Sequence, residues 1–163
     1  GFCAGAVDGT DHFEIGGHGL MLSDGASGAW LGLELVRHTL EVLDGLAAPS
    51  AVTDALLSFT KCDNAEQLTA LCLNAKPVFF AQFAPLVFSH CNTSIASQLI
   101  ASAKRHVSRY ITHLQGLGYT RISLLGGVAD ALFPMLDEPV QRALISKCAP
   151  PEQGAIALLR KQL

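Results

Sequence analysis

Ile15-Gly16-Gly17-His18-Gly19-Leu20-Met21-Leu22-Ser23-Asp24-Gly25-Ala26-Ser27-Gly28-Ala29-Trp30-Leu31-Gly32 is the stretch whose reading decides the fold. Six of its eighteen residues are glycine, and it runs straight into a long apolar-periodic segment. Glycine loses more backbone entropy on ordering than any other residue. Such a density is retained where the chain must bend sharply or where something must approach it closely. One His and one Asp stand among these glycines, so the stretch reads as a ligand loop feeding a helix N-terminus.

Upstream, residues 2–7 and 12–15 read as two short strands around Asp8-Gly9-Thr10-Asp11, because Asp-Gly between short alternating segments favours a hairpin. Downstream, Ser23 or Asp24 caps a helix that runs to about Asp44. Leu33, Val36, Leu40 and Leu43 fall on one face of it, Glu34, Arg37, Glu41 and Asp44 on the other, and Gly45 stops it.

Residues 49–90 carry no strand pattern. Pro49-Ser50 opens one helix, Asn64 or Asp63 caps a second, and a Phe-rich third runs from Pro77 to His90 with a kink or break at Pro85. This is read as a helical insertion at about 49–90, packed on a sheet, with its Phe residues as core. Asn92-Thr93-Ser94 opens a helix of about six turns, with Ile95, Leu99, Ala103, Val107, Tyr110 or Ile111, and Leu114 inward. Lys104, Arg105, Ser108 and Arg109 form a solvated face.

Residues 120–125 then read as a buried strand, stopped by Gly126-Gly127 and followed by a helix from Val128. Helix, strand, Gly-Gly, helix is a crossover unit and implies a partly parallel sheet. In such sheets ligands sit beyond the carboxyl ends of strands, where Gly126-Gly127 lies; a tight turn with no ligand is the plainer reading. Residues 148–160 read as a loop into a final apolar helix.

The 163 residues fit one domain with a sizeable core. Half are hydrophobic, 15% are charged, and the mean hydropathy is +0.35, an apolar excess that suggests a face made for another domain or subunit. A net charge of −3 gives no reason to expect nucleic acid or an anionic membrane as partner. The longest apolar run, residues 77–88, falls short of the roughly 20 residues a bilayer requires. No signal peptide opens the sequence, and Cys3, Cys62, Cys72, Cys91 and Cys148 form no C-x-x-C pair. Buried reduced thiols in a cytoplasmic protein are the expectation.

Three stretches in this order resemble the C-terminal lobe of the N-acetylglucosamine kinase and BadF/BadG-type ATPase family, within the sugar kinase, Hsp70 and actin superfamily. Gly16-Gly17-His18-Gly19 through Gly32 resembles the family's Gly-Gly-Trp-Gly…Gly-Asp-Glu-Gly-Ser-Gly signature. Leu124-Leu125-Gly126-Gly127-Val128-Ala129 resembles its adenosine motif, and Pro150-Pro151-Glu152-Gln153-Gly154-Ala155 the approach to its last helix. The resemblance spans essentially the whole chain, and the first motif is the specific one. His18 stands where the family has Trp, Gly25 where it has Glu, and Ala26 where it has Gly.

The resemblance implies an α/β, ribonuclease H-like (actin-like ATPase) lobe over residues 1–163. Its mixed sheet would start with the antiparallel hairpin and be flanked by helices. The implied activity is phosphorylation of an amino sugar, N-acetylglucosamine or glucosamine, at a hydroxyl by ATP with Mg²⁺. Gly17, His18 and Asp24 would touch the sugar; a short carboxylate accepts hydrogen bonds from two hydroxyls, although Asp24 also suits a helix cap. Gly1, as the remnant of a phosphate loop, would serve the nucleotide together with Gly126, Gly127, Ala129, Gly154 and Ala155.

The catalytic base is expected in an N-terminal lobe that these residues do not contain, so the lobe alone is expected to be inactive. No metal ligand is assigned. The implied partners are the amino sugar, ATP, that N-terminal lobe and a second copy in a homodimer. The alternatives are an ATPase activator of the BadF type, disfavoured by the scattered cysteines, and a non-catalytic interaction domain.

Overall fold

In the computed structural model, which describes residues 1–8, 11–147 and 153, β1 (Cys3–Asp8) pairs antiparallel with β2 (Asp11–Gly16). The register runs from Cys3 opposite Gly16 to Asp8 opposite Asp11, so the expected hairpin forms but Asp8 and Asp11, read as turn residues, belong to its strands.

The chain separates into two compact units, Gly1–Val107 and the residues from Ser108 onward. In the first, α1 (Gly28–Leu43) is the central helix, packing against α2 (Ala51–Thr60), α3 (Ala65–Cys72), α4 (Pro77–Ala81) and α5 (Ala84–Ser89). Its buried stripe is Leu31, Gly32, Leu35, Val36 and Thr39, while Leu33, Leu40 and Leu43 are half-buried. The expected stripe was therefore displaced around the helix. Gly32 explains the displacement: a Cβ there would run into the Phe80 carbonyl oxygen, so α4 lies directly on α1 at this glycine.

The remaining helices start where capping chemistry places them. Asn64 accepts the Gln67 N–H at 2.9 Å while Gln67 accepts the Asp63 N–H at 2.8 Å, which selects Asn64 over Asp63 as the cap of α3. Ser50 precedes α2, and its N–H donates to Thr53 Oγ1 at 2.8 Å. The Phe-rich stretch breaks between α4 and α5, with Pro85 in the first turn of the second piece, where its missing N–H costs nothing. Of the Phe residues expected as core, Phe80 and Phe83 are buried while Phe79 and Phe88 are half-buried; Phe83 meets Phe79 and the more exposed Phe59 edge to face.

The long helix α6 (Ser94–Gly116) buries Ala96, Leu99, Ile100, Ala103 and Val107 in the first unit. In the second unit its last turns bury Ile111 and Leu114, with Tyr110 only half-buried. There the expected strand at 120–125 is reduced to a single parallel bridge, Ile122 with Leu144, and Ile145 N–H donates to Ile122 O at 2.8 Å. Leu125 is 50% exposed, so an apolar run here does not mean a buried strand. Between the bridged residues lie α7 (Gly127–Leu132), a 3-10 turn (Phe133–Met135) and α8 (Glu138–Arg142). The expected final helix lies outside the described residues.

Among the described cysteines the expectation of buried thiols fits Cys62 alone: Cys72 is half-buried, Cys3 and Cys91 are exposed, and Cys148 lies outside the described residues. None of these four is in a disulfide. No helix among the described residues is long and apolar enough to cross a membrane.

Candidate functional site

The glycine loop folds back on the start of β1. Gly16, Gly17 and Gly19 have φ of +80°, +73° and +87°, the left-handed region that costs an L-residue about 1–2 kcal/mol and glycine almost nothing. Gly17 N–H donates to Phe2 O at 3.0 Å, and a Cβ at residue 17 would stand 3.3 Å from that of Cys3. The loop then closes on itself, with His18 N–H donating to Ser23 Oγ at 3.0 Å and the N–H groups of Leu22 and Ser23 both turning back to Gly19 O. His18 itself is exposed, and so are Met21 (78%) and Leu22 (81%) at the tip.

Neither Ser23 nor Asp24 caps α1. Ser27 does, its Oγ accepting the Trp30 N–H at 3.0 Å. Asp24 is buried at 5% exposure, and its side chain points to the start of β1 instead: Oδ1 accepts the Phe2 N–H at 3.2 Å. The Gly1 nitrogen lies 3.9 Å from Oδ2. A Cβ on Gly1 would be 3.2 Å from Oδ2 and 3.3 Å from Oδ1, so the carboxylate fills the space a side chain at residue 1 would need. Gly1, Gly17 and Asp24 are thus brought together, with His18 on the same loop.

Sequence reasoning missed one residue here. His106, on α6, sets its ring edge-on to Phe2 with centroids 5.0 Å apart. A Cβ on Gly25 would lie 2.7 Å from both Cε1 and Nδ1 of that ring. The signal was available: position 106 lies seven residues after Leu99 and three after Ala103, on the inward face of α6.

In the second unit, Gly126 precedes α7 with φ +104°, and Cβ atoms at Gly126 or Gly127 would meet nothing within 4 Å. Both glycines are exposed. Ala129 is half-buried on α7, and Asp130, which follows it, pairs with Lys147 at 2.8 Å on the exposed side. Gly154 and Ala155 lie outside the described residues. Among the described residues, no group of three or more His, Cys, Asp or Glu side chains is placed to hold a metal.

No protein-family model matches the chain. The chain is similar to the glucosamine kinase GspK of Vibrio cholerae serotype O1 (strain ATCC 39315 / El Tor Inaba N16961), with 27% identity over 163 residues, 99% of this chain and 55% of that protein. It spans about half the length of this curated relative. Its structure superimposes on a crystal structure from Chromobacterium violaceum, assigned as a candidate N-acetylglucosamine kinase. The TM-score is 0.85 at 32% identity, covering 91% of this chain and 52% of the other. Both comparisons agree with the resemblance read from the motifs: the chain resembles amino-sugar kinases, and its fold is that of the Chromobacterium protein.

Proposed function

We propose that residues 1–163 form the C-terminal, actin-like lobe of a two-lobed kinase that transfers the γ-phosphoryl group of ATP to a hydroxyl of glucosamine or N-acetylglucosamine. The observation that carries this reading is the hydrogen bond from the Phe2 amide to Asp24. It joins the sugar loop to the backbone next to Gly1, where the resemblance puts the end of a phosphate loop. A kinase must hold an acceptor hydroxyl and a phosphoryl group in near contact, and a rigid join between the two binding elements serves that end.

Asp24 and the glycine backbone at Gly17 and His18 would bind sugar hydroxyls. By the resemblance, Gly1 would serve the phosphates, and Gly126, Gly127, Ala129, Gly154 and Ala155 the nucleoside. ATP supplies the transferred group, and Mg²⁺ neutralises charge on its phosphates. The base that takes the hydroxyl proton belongs to the other lobe, and the protein's own part in this lobe is to orient the sugar.

The test is an ADP-release assay with ATP, Mg²⁺ and either amino sugar, run on the full-length protein and on residues 1–163 alone. Turnover is expected in the first and none in the second. Robust turnover by residues 1–163 would overturn the two-lobe reading, and no sugar phosphorylation by the full-length protein would overturn the kinase reading. A brown protein containing iron and sulfide after anaerobic purification would favour the activator instead.

A further inference from the structure

We propose that His106 is a positioning residue for the sugar loop, holding the Phe2 amide on the Asp24 carboxylate from a helix more than eighty residues further along the chain. The inference rests on the reading of Asp24 as a sugar ligand and adds to it the element that fixes that ligand's geometry. Three contacts carry it. The imidazole packs edge-on against the Phe2 ring at 5.0 Å, the Phe2 N–H donates to Asp24 Oδ1 at 3.2 Å, and the same imidazole occupies the space above Gly25. Asp24 is thus flanked by two residues that both answer to one ring.

This arrangement also accounts for the departure at residue 25. With His106 in place, any Cβ at 25 would stand 2.7 Å from two ring atoms, closer than real Cβ contacts come. A side chain at residue 25, such as the Glu of the resembling signature, would require the His106 ring to move from its place against Phe2. Because the ring bears on Phe2 and on Gly25 together, its removal frees the loop on both sides of the carboxylate. A carboxylate oxygen held by the backbone N–H leaves the remaining acceptor positions in a fixed direction, and a misplacement near 1 Å is enough to weaken oriented binding.

The experiment uses the full-length protein with His106→Ala, Gly25→Ala, Asp24→Ala and the pairs His106→Ala/Gly25→Ala and His106→Ala/Asp24→Ala. The readouts are Tm and the KM values for amino sugar and ATP. His106→Ala is expected to raise the sugar KM about five- to tenfold while the ATP KM stays within about twofold. Gly25→Ala is expected to lower Tm, and adding His106→Ala to recover part of that loss. The two single losses for His106→Ala and Asp24→Ala should exceed the double variant's loss by about 3 °C. His106→Phe, which keeps an edge-on ring, should recover most of the sugar KM.

Equal rises in both KM values, or additive Tm losses in both cycles, would overturn the proposal. The two Tm cycles need no substrate. If the wild-type protein phosphorylates no sugar, the kinase reading falls while the cycles still decide whether His106 holds Asp24. If the wild type is active and the cycles are additive, His106 fails and the kinase reading stands. Should His106→Ala fail to fold, His106→Phe and Gly25→Ala carry the same comparison.

Discussion

The carboxylate of Asp24 is bonded to the amide of Phe2, 22 residues earlier in the chain, at 3.2 Å. It is therefore a tie between β1 and the glycine loop before it is anything else. A buried carboxylate must be satisfied by donors, and here the donor is backbone, so the tie is part of the fold. The proposed role in sugar binding uses what the tie leaves over.

The two roles separate by substitution. Asp24→Asn keeps an oxygen that accepts from Phe2 N–H, whereas Asp24→Ala leaves that N–H in the protein without its acceptor. The alanine variant should lose about 1–3 kcal/mol of stability, and the asparagine variant less than about 1 kcal/mol. Both should raise the sugar KM or lower kcat in the full-length protein, with ATP binding unchanged. An unchanged sugar KM and kcat in both variants would leave Asp24 as a structural tie only. Denaturant melts and steady-state kinetics on the same preparations decide it.

Ala26 sits at φ +68°, a left-handed conformation, at a position where the resembling signature has glycine. Ala29 is equally buried, both being 3% exposed, but it lies inside α1. Replacing each by glycine removes the same methyl group at the same burial. At residue 26 the change also relieves about 1–2 kcal/mol of backbone strain, and at residue 29 it adds about 1 kcal/mol of helix cost. Ala26→Gly should therefore be more stable than Ala29→Gly by roughly 2 kcal/mol, as read by urea unfolding.

Much of this fold is legible one segment at a time. The Asp-Gly hairpin, the Asn64 cap, the break near Pro85 and the stop at Gly45 all follow from chemistry within four residues of the position concerned. What escaped needed contacts between distant segments. Asp24 resembled a cap because its acceptor groups suit one, and only the Phe2 amide reveals its partner. Spacing puts His106 on the inward face of α6 but carries no signal of its partner, because the residue it packs over, Gly25, lies 81 positions earlier. The stretch at 120–125 was apolar enough for a buried strand, yet Leu125 is half exposed and only Ile122 finds a bridging partner.

Gly32 is a packing residue, and its replacement should be among the costliest in the first unit. A methyl group there meets the backbone carbonyl of Phe80, which cannot rotate aside as a side chain would. The helices α1 and α4 must separate, opening voids around Leu31, Leu35 and Phe80. Gly32→Ala should cost about 3 kcal/mol, the upper range for overpacking, even though alanine favours helix by about 1 kcal/mol. Gly116→Ala, at the end of α6 with no atom within 4 Å of its would-be Cβ, is the contrasting control. It should cost less than about 1 kcal/mol in the same unfolding experiment.

Cys72 provides the pH-dependent prediction. Burial pushes its thiol above the ordinary value, and the neighbouring Cys62 pushes it further in the same direction. The neutral thiol is thus favoured in the folded chain. A group whose folded pKa is raised contributes stability that is complete below the unfolded value, about 8.5, and is lost as pH rises through the folded value. Stability should accordingly fall on the alkaline side of about pH 8.5, and Cys72→Ala should flatten that part of the profile. Alkylation should show the same asymmetry: at pH 8, iodoacetamide should modify the exposed Cys91 well before Cys72, because the thiolate is the nucleophile. Equal labelling rates at the two sites, followed by peptide mass spectrometry, would contradict a raised thiol at Cys72.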